Sequence, residues 1–238
     1  MAKAVRVVKL GPVVMPAVIA GLMAAIAVAS IAGVTAARLG APQVLENALL
    51  SASAMWRGQL WRLVSFALVE TSPVSLIFTG FMLYWFAADL ARLWGARRLL
   101  AAFFGMAAAA GGLTCLVARA WPQLAAMGFS GAGPVMDGLT IAWGFLFPAR
   151  ELRLFFVLRL TGRRLIAVVV GATVLFALFY GFALFVPEFA AEAVALVWFG
   201  VLRPWRAARR RQRTQQAARG EAWSFSQWYE GESRRRKK

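Results

Sequence analysis

The sequence predicts an all-α polytopic membrane protein, a bundle of six transmembrane helices with both termini in the cytoplasm. Hydrophobic residues make up 61% of the 238 residues, against roughly 45–50% in soluble domains. Apolar segments recur along the chain at lengths that can cross a hydrocarbon core about 30 Å thick. Arginines and lysines are concentrated in alternate connecting segments, which is the pattern of the positive-inside rule.

The predicted spanning helices follow one another from the N-terminus. The first follows Lys3, Arg6 and Lys9 and is too long for the apolar core of a signal peptide, so we expect it to remain uncleaved. The third contains Gly111 and Gly112 in an alanine-rich run, which allows a neighbouring helix to approach closely. The last is short for a complete crossing. Their approximate boundaries are 12–36, 73–93, 96–117, 128–147, 165–186 and 188–202.

Residues 38–71 are too polar and interrupted to span a membrane, and we expect an external interfacial loop there. Within this loop the sequence MWRGQLWRLVSF alternates tryptophans with arginines. Tryptophan rings and arginine side chains both suit the headgroup region, because the polar end of each can stay hydrated there. We therefore expect Trp61 and Arg62 to anchor the loop.

The distribution of charge predicts the orientation of the chain. With both termini in the cytoplasm, 23 of the 27 lysines and arginines fall on the cytoplasmic side. The external side keeps only Arg38, Arg57, Arg62 and Arg119. Such an asymmetry over short loops favours this orientation. The expected location is a bacterial-type inner membrane, crossed several times.

Residues 206–238 are predicted to form a basic cytoplasmic tail that follows a membrane domain of residues 1–205. The first part of the tail is polybasic and is expected to bind anionic lipid headgroups. The arginines that would do so are Arg206, Arg209, Arg210 and Arg211. A later aromatic cluster in an acidic setting is typical of anchors for a partner surface, and burial at the membrane interface is the alternative. Its members are Trp223, Phe225, Trp228 and Tyr229.

Composition argues against several classes of site. The chain has no histidine and a single cysteine, Cys115, which lies in an apolar segment, so we expect no transition-metal site and no cofactor. Cys115 is interpreted as a small packing residue. The net charge of +17 is concentrated in a few segments, and no nucleic-acid partner is expected. The expected partners are membrane lipids and a transmembrane protein or larger membrane complex.

The segment MGFSGAGPVMDG places Ser130 among small residues just before an apolar helix. Pro134 suits the first turn of that helix, where its missing N–H costs no hydrogen bond. Ser130 would then lie near unpaired backbone N–H groups that are able to hold an anion. This geometry is the one that an acyl-transfer nucleophile requires.

Two motifs in this order resemble those of the rhomboid intramembrane serine proteases. Residues 58–65, GQLWRLVS, are similar to the rhomboid signature G-x-x-W-R-L-x-T, and residues 128–131, GFSG, are similar to its G-x-S-G segment. The resemblance extends over about 150 residues, 55–205, and includes the six-helix core with a large first external loop. The motif residues are Trp61, Arg62, Gly128, Ser130, Gly131 and Gly138.

The resemblance also identifies what this chain lacks. In the rhomboid proteases a histidine on the sixth helix is the base for the nucleophilic serine, and here that position falls near Glu192 or Ala193. A histidine and an asparagine on their second helix help to hold the oxyanion. In this sequence Ser75 and Thr79 take those positions.

The sequence offers no clear replacement for the missing base. The lysines all lie near the chain termini. Asp137 is seven residues beyond Ser130, about 10 Å along a helix axis, which exceeds a hydrogen-bonding reach of roughly 3 Å. Glu192 is the one carboxylate near the expected position, and a carboxylate is a weak base toward a serine hydroxyl.

The resemblance therefore implies a catalytically inactive, rhomboid-like pseudoprotease. Such a protein would bind transmembrane partners as a scaffold, chaperone or accessory subunit of a membrane complex, and would admit them between its second and fifth helices. The alternative is a rhomboid-type intramembrane serine endopeptidase with Ser130 as nucleophile and a base other than histidine. A small transporter would be indicated by internal repeats with broken helices, and the sequence shows none.

Two aspartates lie within or next to predicted spanning helices. Asp137 indicates function, because a carboxylate at membrane depth is energetically costly and must pair or be protonated. The alternatives are a structural hydrogen bond to a neighbouring helix or a position near the interface. Asp89, at the inner end of the second helix, is expected to pair with Arg92 or Arg97.

Overall fold

The computed structural model describes residues 7–10, 13–154 and 158–204. The chain divides into two units, Met1–Leu196 and Val197–Lys238. The first unit contains a helical core and is described below. In the second unit, residues 197–202 complete a π-helical segment, and the guanidinium of Arg203 lies 5.9 Å from the ring centroid of Phe199.

Helices dominate the described residues, which confirms a mostly helical membrane protein. In chain order the helices are α1 (Ala17–Arg38), α2 (Pro42–Glu46), α3 (Ala52–Trp56), α4 (Arg62–Ser65), α5 (Pro73–Met82), α6 (Ala88–Trp94), α7 (Ala96–Ala120), α8 (Pro122–Ala125), α9 (Gly133–Leu146), α10 (Gly162–Tyr180) and α11 (Val186–Ala195). Short 3₁₀ or π segments extend several of them, at Phe66–Leu68, Leu83–Ala87, Phe182–Phe185 and Leu196–Leu202.

Short antiparallel strand pairs accompany the helices. They are β1 (Val7–Leu10) with β2 (Val13–Pro16), β3 (Leu50–Ser51) with β4 (Gly128–Phe129), and β5 (Glu151–Leu154) with β6 (Leu158–Thr161). The pair β3–β4 aligns Leu50 with Phe129 and so ties the 38–71 loop to the chain just before α9. The first spanning helix was predicted to begin at residue 12, but β2 occupies the chain up to Pro16 and the helix begins at Ala17.

Five described helical segments are long and apolar enough to cross a membrane. They are Ala17–Arg38, Pro73–Trp94, Ala96–Ala120, Gly162–Tyr180 and Phe182–Leu202. The predicted span at 128–147 is not among them, because its helix, α9, has 14 residues and measures about 21 Å at 1.5 Å per residue. A hydrocarbon core is about 30 Å thick, so α9 differs from the predicted full-length span.

Helix α9 is instead the central helix of the first unit. Ten of its 14 residues are buried, and it packs against α7, α10 and α11. Trp143 is fully buried on this helix, in edge contact with Phe86. Close approach to α10 depends on Gly144, where a Cβ atom would lie 2.6 Å from the carbonyl oxygen of Gly162. The apolar helix α9 is therefore enclosed by α7, α10 and α11. Cys115 of α7 is buried in the same core.

The turn between α6 and α7 consists of one residue. Gly95 has a φ of +80°, a conformation that side chains with a Cβ atom rarely adopt, so glycine permits this abrupt connection. Nearby, the Asp89 carboxylate accepts a hydrogen bond from Trp143 Nε1 at 3.1 Å. It also forms ion pairs with Arg92 at 3.5 Å and with Arg150 at 2.7 Å. The predicted pairing of Asp89 is thus present, and it also joins the ends of α6 and α9.

The 38–71 segment is folded rather than extended. Arg62 is buried and its guanidinium donates hydrogen bonds to Gln59 Oε1 at 2.6 Å, to the Leu49 carbonyl at 2.9 Å, to Asn47 Oδ1 at 3.0 Å and to the carbonyl of Glu46. Burial and the nearby Arg57 lower the pKa of Arg62, and Glu46 raises it. The planar guanidinium, which has five donors, thereby holds two backbone carbonyls and two side chains of the loop in place.

Candidate functional site

Ser130 lies three residues before α9, in the position that the sequence predicts. Its Oγ is 3.2 Å from Oγ1 of Thr71, and this hydroxyl pair is its hydrogen bond within the described residues. Glu192, the candidate base, instead accepts a hydrogen bond from Thr173 Oγ1 at 2.7 Å. A neighbouring hydroxyl cannot remove the serine proton as a base would. The structure therefore does not pair Ser130 with a base.

The backbone N–H groups at the start of α9 do not form an open anion site. The N–H of Ala132 donates a hydrogen bond to Glu70 Oε1 at 2.9 Å, and Thr79 Oγ1 donates to the same oxygen at 2.7 Å. Glu70 is buried, so the protein places its own carboxylate where a developing oxyanion would have to sit. The helix dipole stabilises a negative charge at a helix N-terminus, which accounts for the position of Glu70.

Gly131 is required by the same arrangement. Its φ is +105°, and a Cβ atom there would lie 2.9 Å from Oε2 of Glu70. Its N–H donates to the Phe66 carbonyl at 2.9 Å. The predicted oxyanion residues are also engaged elsewhere, because Thr79 binds Glu70 and Ser75 Oγ donates to the carbonyl of Ser72 at 2.9 Å.

The remaining motif residues have local structural contacts. Trp61 is exposed, and its Nε1 donates to the Asn47 carbonyl at 3.2 Å. Gly128 lies in β4 against Leu49. Gly138 is buried where α9 meets α7, and a Cβ atom there would lie 2.9 Å from the thioether of Met106. None of these contacts is specific to proteolysis.

A second polar group, which we call the acidic seam, lies between α9, α10 and α11. It consists of Asp137 on α9, Glu188 and Glu192 on α11, Thr173 on α10, which donates to Glu192, and Thr140, which follows Asp137 by three residues on the same face of α9. Asp137 interacts electrostatically with both glutamates. Glu192 is 2% exposed and Thr140 is 1% exposed, whereas Asp137 and Glu188 are partly exposed. The seam thus extends from the interior of the bundle to its surface.

Several oxygens of the acidic seam have no partner. Oε2 of Glu188 and Oγ1 of Thr140 are buried without a hydrogen bond within the described part of the chain. In the same part, the side chain of Asp137 forms no hydrogen bond and no ion pair. Buried polar groups in proteins are nearly always satisfied. The seam is therefore chemically incomplete in the isolated chain.

Comparison with known proteins decides the family. A family model described as "Eukaryotic integral membrane protein (DUF1751)" matches residues 16–232. The chain belongs to this family. A search of curated proteins finds no match to the chain.

Membership in this family corrects the predicted resemblance. The chain is an integral membrane protein that crosses the lipid several times, but its family is not a rhomboid protease family, and the assignment as a rhomboid pseudoprotease is wrong. The short motifs gave a wrong assignment because Arg62 and Gly131 have structural roles that do not depend on proteolysis. Arg62 binds a loop carbonyl, and Gly131 lies against Glu70. The family is described as eukaryotic, so the expected bacterial inner membrane receives no support.

Sequence reasoning missed Glu70 and did not assemble the acidic seam. A single acid in the apolar stretch SFALVETSP was the available signal for Glu70. For the seam it was the spacing of Glu188 and Glu192, four residues apart on an apolar helix and so on one face. Within residues 7–10, 13–154 and 158–204, no group of histidine, cysteine or acidic side chains is placed to hold a metal ion. The predicted tail sites, from Arg206 to Tyr229, lie outside the described residues.

The Glu70 contacts yield a prediction about stability. Replacing Glu70 by alanine leaves the Ala132 N–H and the Thr79 hydroxyl buried without an acceptor, at a cost of about 1–3 kcal/mol for each group. We expect Glu70→Ala to lower the melting temperature of the detergent-solubilised protein clearly, and Glu70→Gln, which keeps an acceptor, to lower it less. Glu151→Ala, an exposed acid on β5, is the matched control. Equal melting temperatures for Glu70→Ala and Glu151→Ala would contradict this role.

Proposed function

We propose that this protein is a non-catalytic membrane protein that binds the transmembrane segments of other proteins, as a scaffold, chaperone or accessory subunit of a membrane complex. The observation that carries the proposal is the acidic seam, where carboxyl and hydroxyl oxygens without partners lie within a membrane bundle. Intramembrane carboxyl groups are costly and mark functional sites by default. A partner that supplies hydrogen-bond donors would lower that cost.

Access to the seam supports binding from within the membrane. Gly133 at the start of α9 is exposed, and a Cβ atom there would lie 3.5 Å from Oε1 of Glu188. Helices α5 and α10 make little contact with each other, whereas both contact α9. A partner helix could therefore approach α9 from the lipid without displacing a packed neighbour.

The absence of enzymatic activity is part of the proposal. Ser130 is paired with Thr71 and the amide of Ala132 is bound to Glu70, so neither a base nor a free oxyanion site supports the serine. We also propose that both termini lie in the cytoplasm, from the arginine distribution. The basic tail would then meet the anionic cytoplasmic leaflet.

A fluorophosphonate serine probe tests the non-catalytic assignment. We expect no covalent labelling of Ser130 in native membranes, because its hydroxyl has no base to accept the proton. Labelling would be measured by mass spectrometry of the peptide that contains Ser130, with Ser130→Ala as the control for background. Probe incorporation that is lost in Ser130→Ala would establish an activated serine and overturn the assignment.

Purification from native membranes tests partner binding. The full chain and a chain ending at Gly220 would each carry an affinity tag, and co-purifying proteins would be quantified by mass spectrometry. We expect a membrane protein at near-stoichiometric amount with the full chain. Its loss with the shortened chain would place the contact at Trp223, Phe225, Trp228 and Tyr229, and its retention would place the contact in the membrane bundle. Recovery of both chains alone would contradict the proposed function.

A further inference from the structure

We propose that the acidic seam binds an arginine side chain carried by the transmembrane segment of a partner. This inference rests on the proposed function and names the chemistry of the partner. It follows from the position of the seam residues, from the acceptors that lack donors, and from the cations of the chain itself.

The seam residues of α9 share one face. Gly133, Asp137, Thr140 and Gly144 are spaced by four, three and four residues, which is the spacing of a single helix stripe. This stripe meets α11 at Gly133, beside Glu188, and meets α10 at Gly144, beside Gly162. Thr140 lies between those two contacts on the stripe, on the face of α9 that packs against α10 and α11, and its buried hydroxyl has no partner among the described residues.

Within the described residues, the seam has acceptors but no cation. Glu188 is in the first turn of α11, where the helix dipole favours an acid, but this effect fades within one turn and does not reach Glu192. The described arginines on the helices that pack against the seam are engaged or distant. Arg119 at the end of α7 stacks 4.8 Å over Trp56, and the others lie at the opposite helix ends, namely Arg97, Arg98, Arg163 and Arg164.

The spacing of the carboxyl groups favours arginine over a small ion. A metal ion requires ligand oxygens within about 2.0–2.6 Å of one point, and the described acids form no such group. The seam carboxyls are nevertheless close enough to interact electrostatically. A guanidinium has five donors in a planar fork, so it can bind acceptors that are spread over several ångströms. An arginine in a membrane helix in turn requires acidic partners.

The depth of the seam fixes where the arginine must lie. Asp137 is the fifth residue of α9 and Glu192 the seventh of α11, so both lie about 6–10 Å below the start of their helices at 1.5 Å per residue. The two helices run in the same direction, because α10 returns the chain between them. The partner arginine should therefore lie in the membrane half that adjoins the 38–71 loop.

Binding of synthetic peptides tests this inference. The full chain, labelled with a donor dye and reconstituted in phosphatidylcholine nanodiscs, would be titrated with acceptor-labelled leucine–alanine peptides of about 22 residues. The peptides would carry arginine, glutamine or leucine about 10 Å from the external end. We expect the arginine peptide to bind about tenfold more tightly than the leucine peptide, the size expected for a strong polar contact in a membrane.

Variants of the chain assign the preference to the seam. The combined change Asp137→Asn with Glu188→Gln should abolish the preference for arginine, and Thr140→Val, which removes one acceptor with little change in volume, should reduce it. Glu151→Gln, which removes a charge far from the seam in the sequence, should leave it unchanged. Thermal melting identifies variants that fail to fold, and Thr140→Val provides the test if the double variant does.

The outcomes separate this inference from the proposed function. Equal affinity for the three peptides overturns the arginine assignment and leaves a proton or a lipid headgroup as the counterpart of the seam. It does not affect partner binding, which native co-purification measures. An arginine preference that survives the double variant also overturns the assignment. A preference that is lost with the seam acids establishes it.

Discussion

The Glu70 carboxylate connects the parts of the fold that position everything else. It accepts hydrogen bonds from Thr79 of α5 and from the N–H of Ala132 at the start of α9, while the backbone N–H of Glu70 donates to Oγ of Ser30 on α1 at 2.8 Å. One residue at the end of the 38–71 loop therefore ties three helices together. Gly131 lies beside this carboxylate in a conformation with positive φ, where a residue with a Cβ atom would be strained and would crowd Glu70.

The same contact decides the chemistry at the start of α9. A helix N-terminus with free N–H groups is able to hold an anion, and here the anion is already part of the protein. Ser130 consequently lies beside a filled site and is paired only with Thr71 among the described residues. Further along α9 lies the acidic seam, where Thr140 Oγ1 and Glu188 Oε2 are buried without a partner among the described residues. The proposed function therefore rests on these carboxyl groups and not on the serine.

The membrane class could be predicted from the sequence because composition and charge asymmetry depend little on tertiary structure. That α9 is the buried central helix could not be predicted from the sequence. Residues 128–147 are as apolar as the candidate spans, and hydropathy does not distinguish a helix that faces lipid from one that faces other helices. Only the packing of α9 against α7, α10 and α11 reveals that it is buried and short.

Part of the candidate site could be predicted from the sequence. Asp137 was identified because an acid at membrane depth is costly wherever it points. Its neighbour Glu188 lies on another helix, so their proximity depends on which helix faces come together, and no spacing within one segment reports that. The family resemblance failed where it relied on short motifs, since Arg62 and Gly131 serve the loop and the Glu70 contact. The match over residues 16–232 covers most of the chain and shows the family.

Site-specific crosslinking at Gly133 in native membranes tests the central claim most directly, because this residue is exposed and lies beside Glu188. The photoreactive residue p-benzoylphenylalanine would replace Gly133, with Val28, 68% exposed on α1, as the matched position away from the seam. We expect a discrete protein adduct from position 133 that is absent at position 28 and is lost when Asp137→Asn and Glu188→Gln are added. Lipid adducts alone at position 133, or the same protein adduct at both positions, would contradict a partner site at the acidic seam.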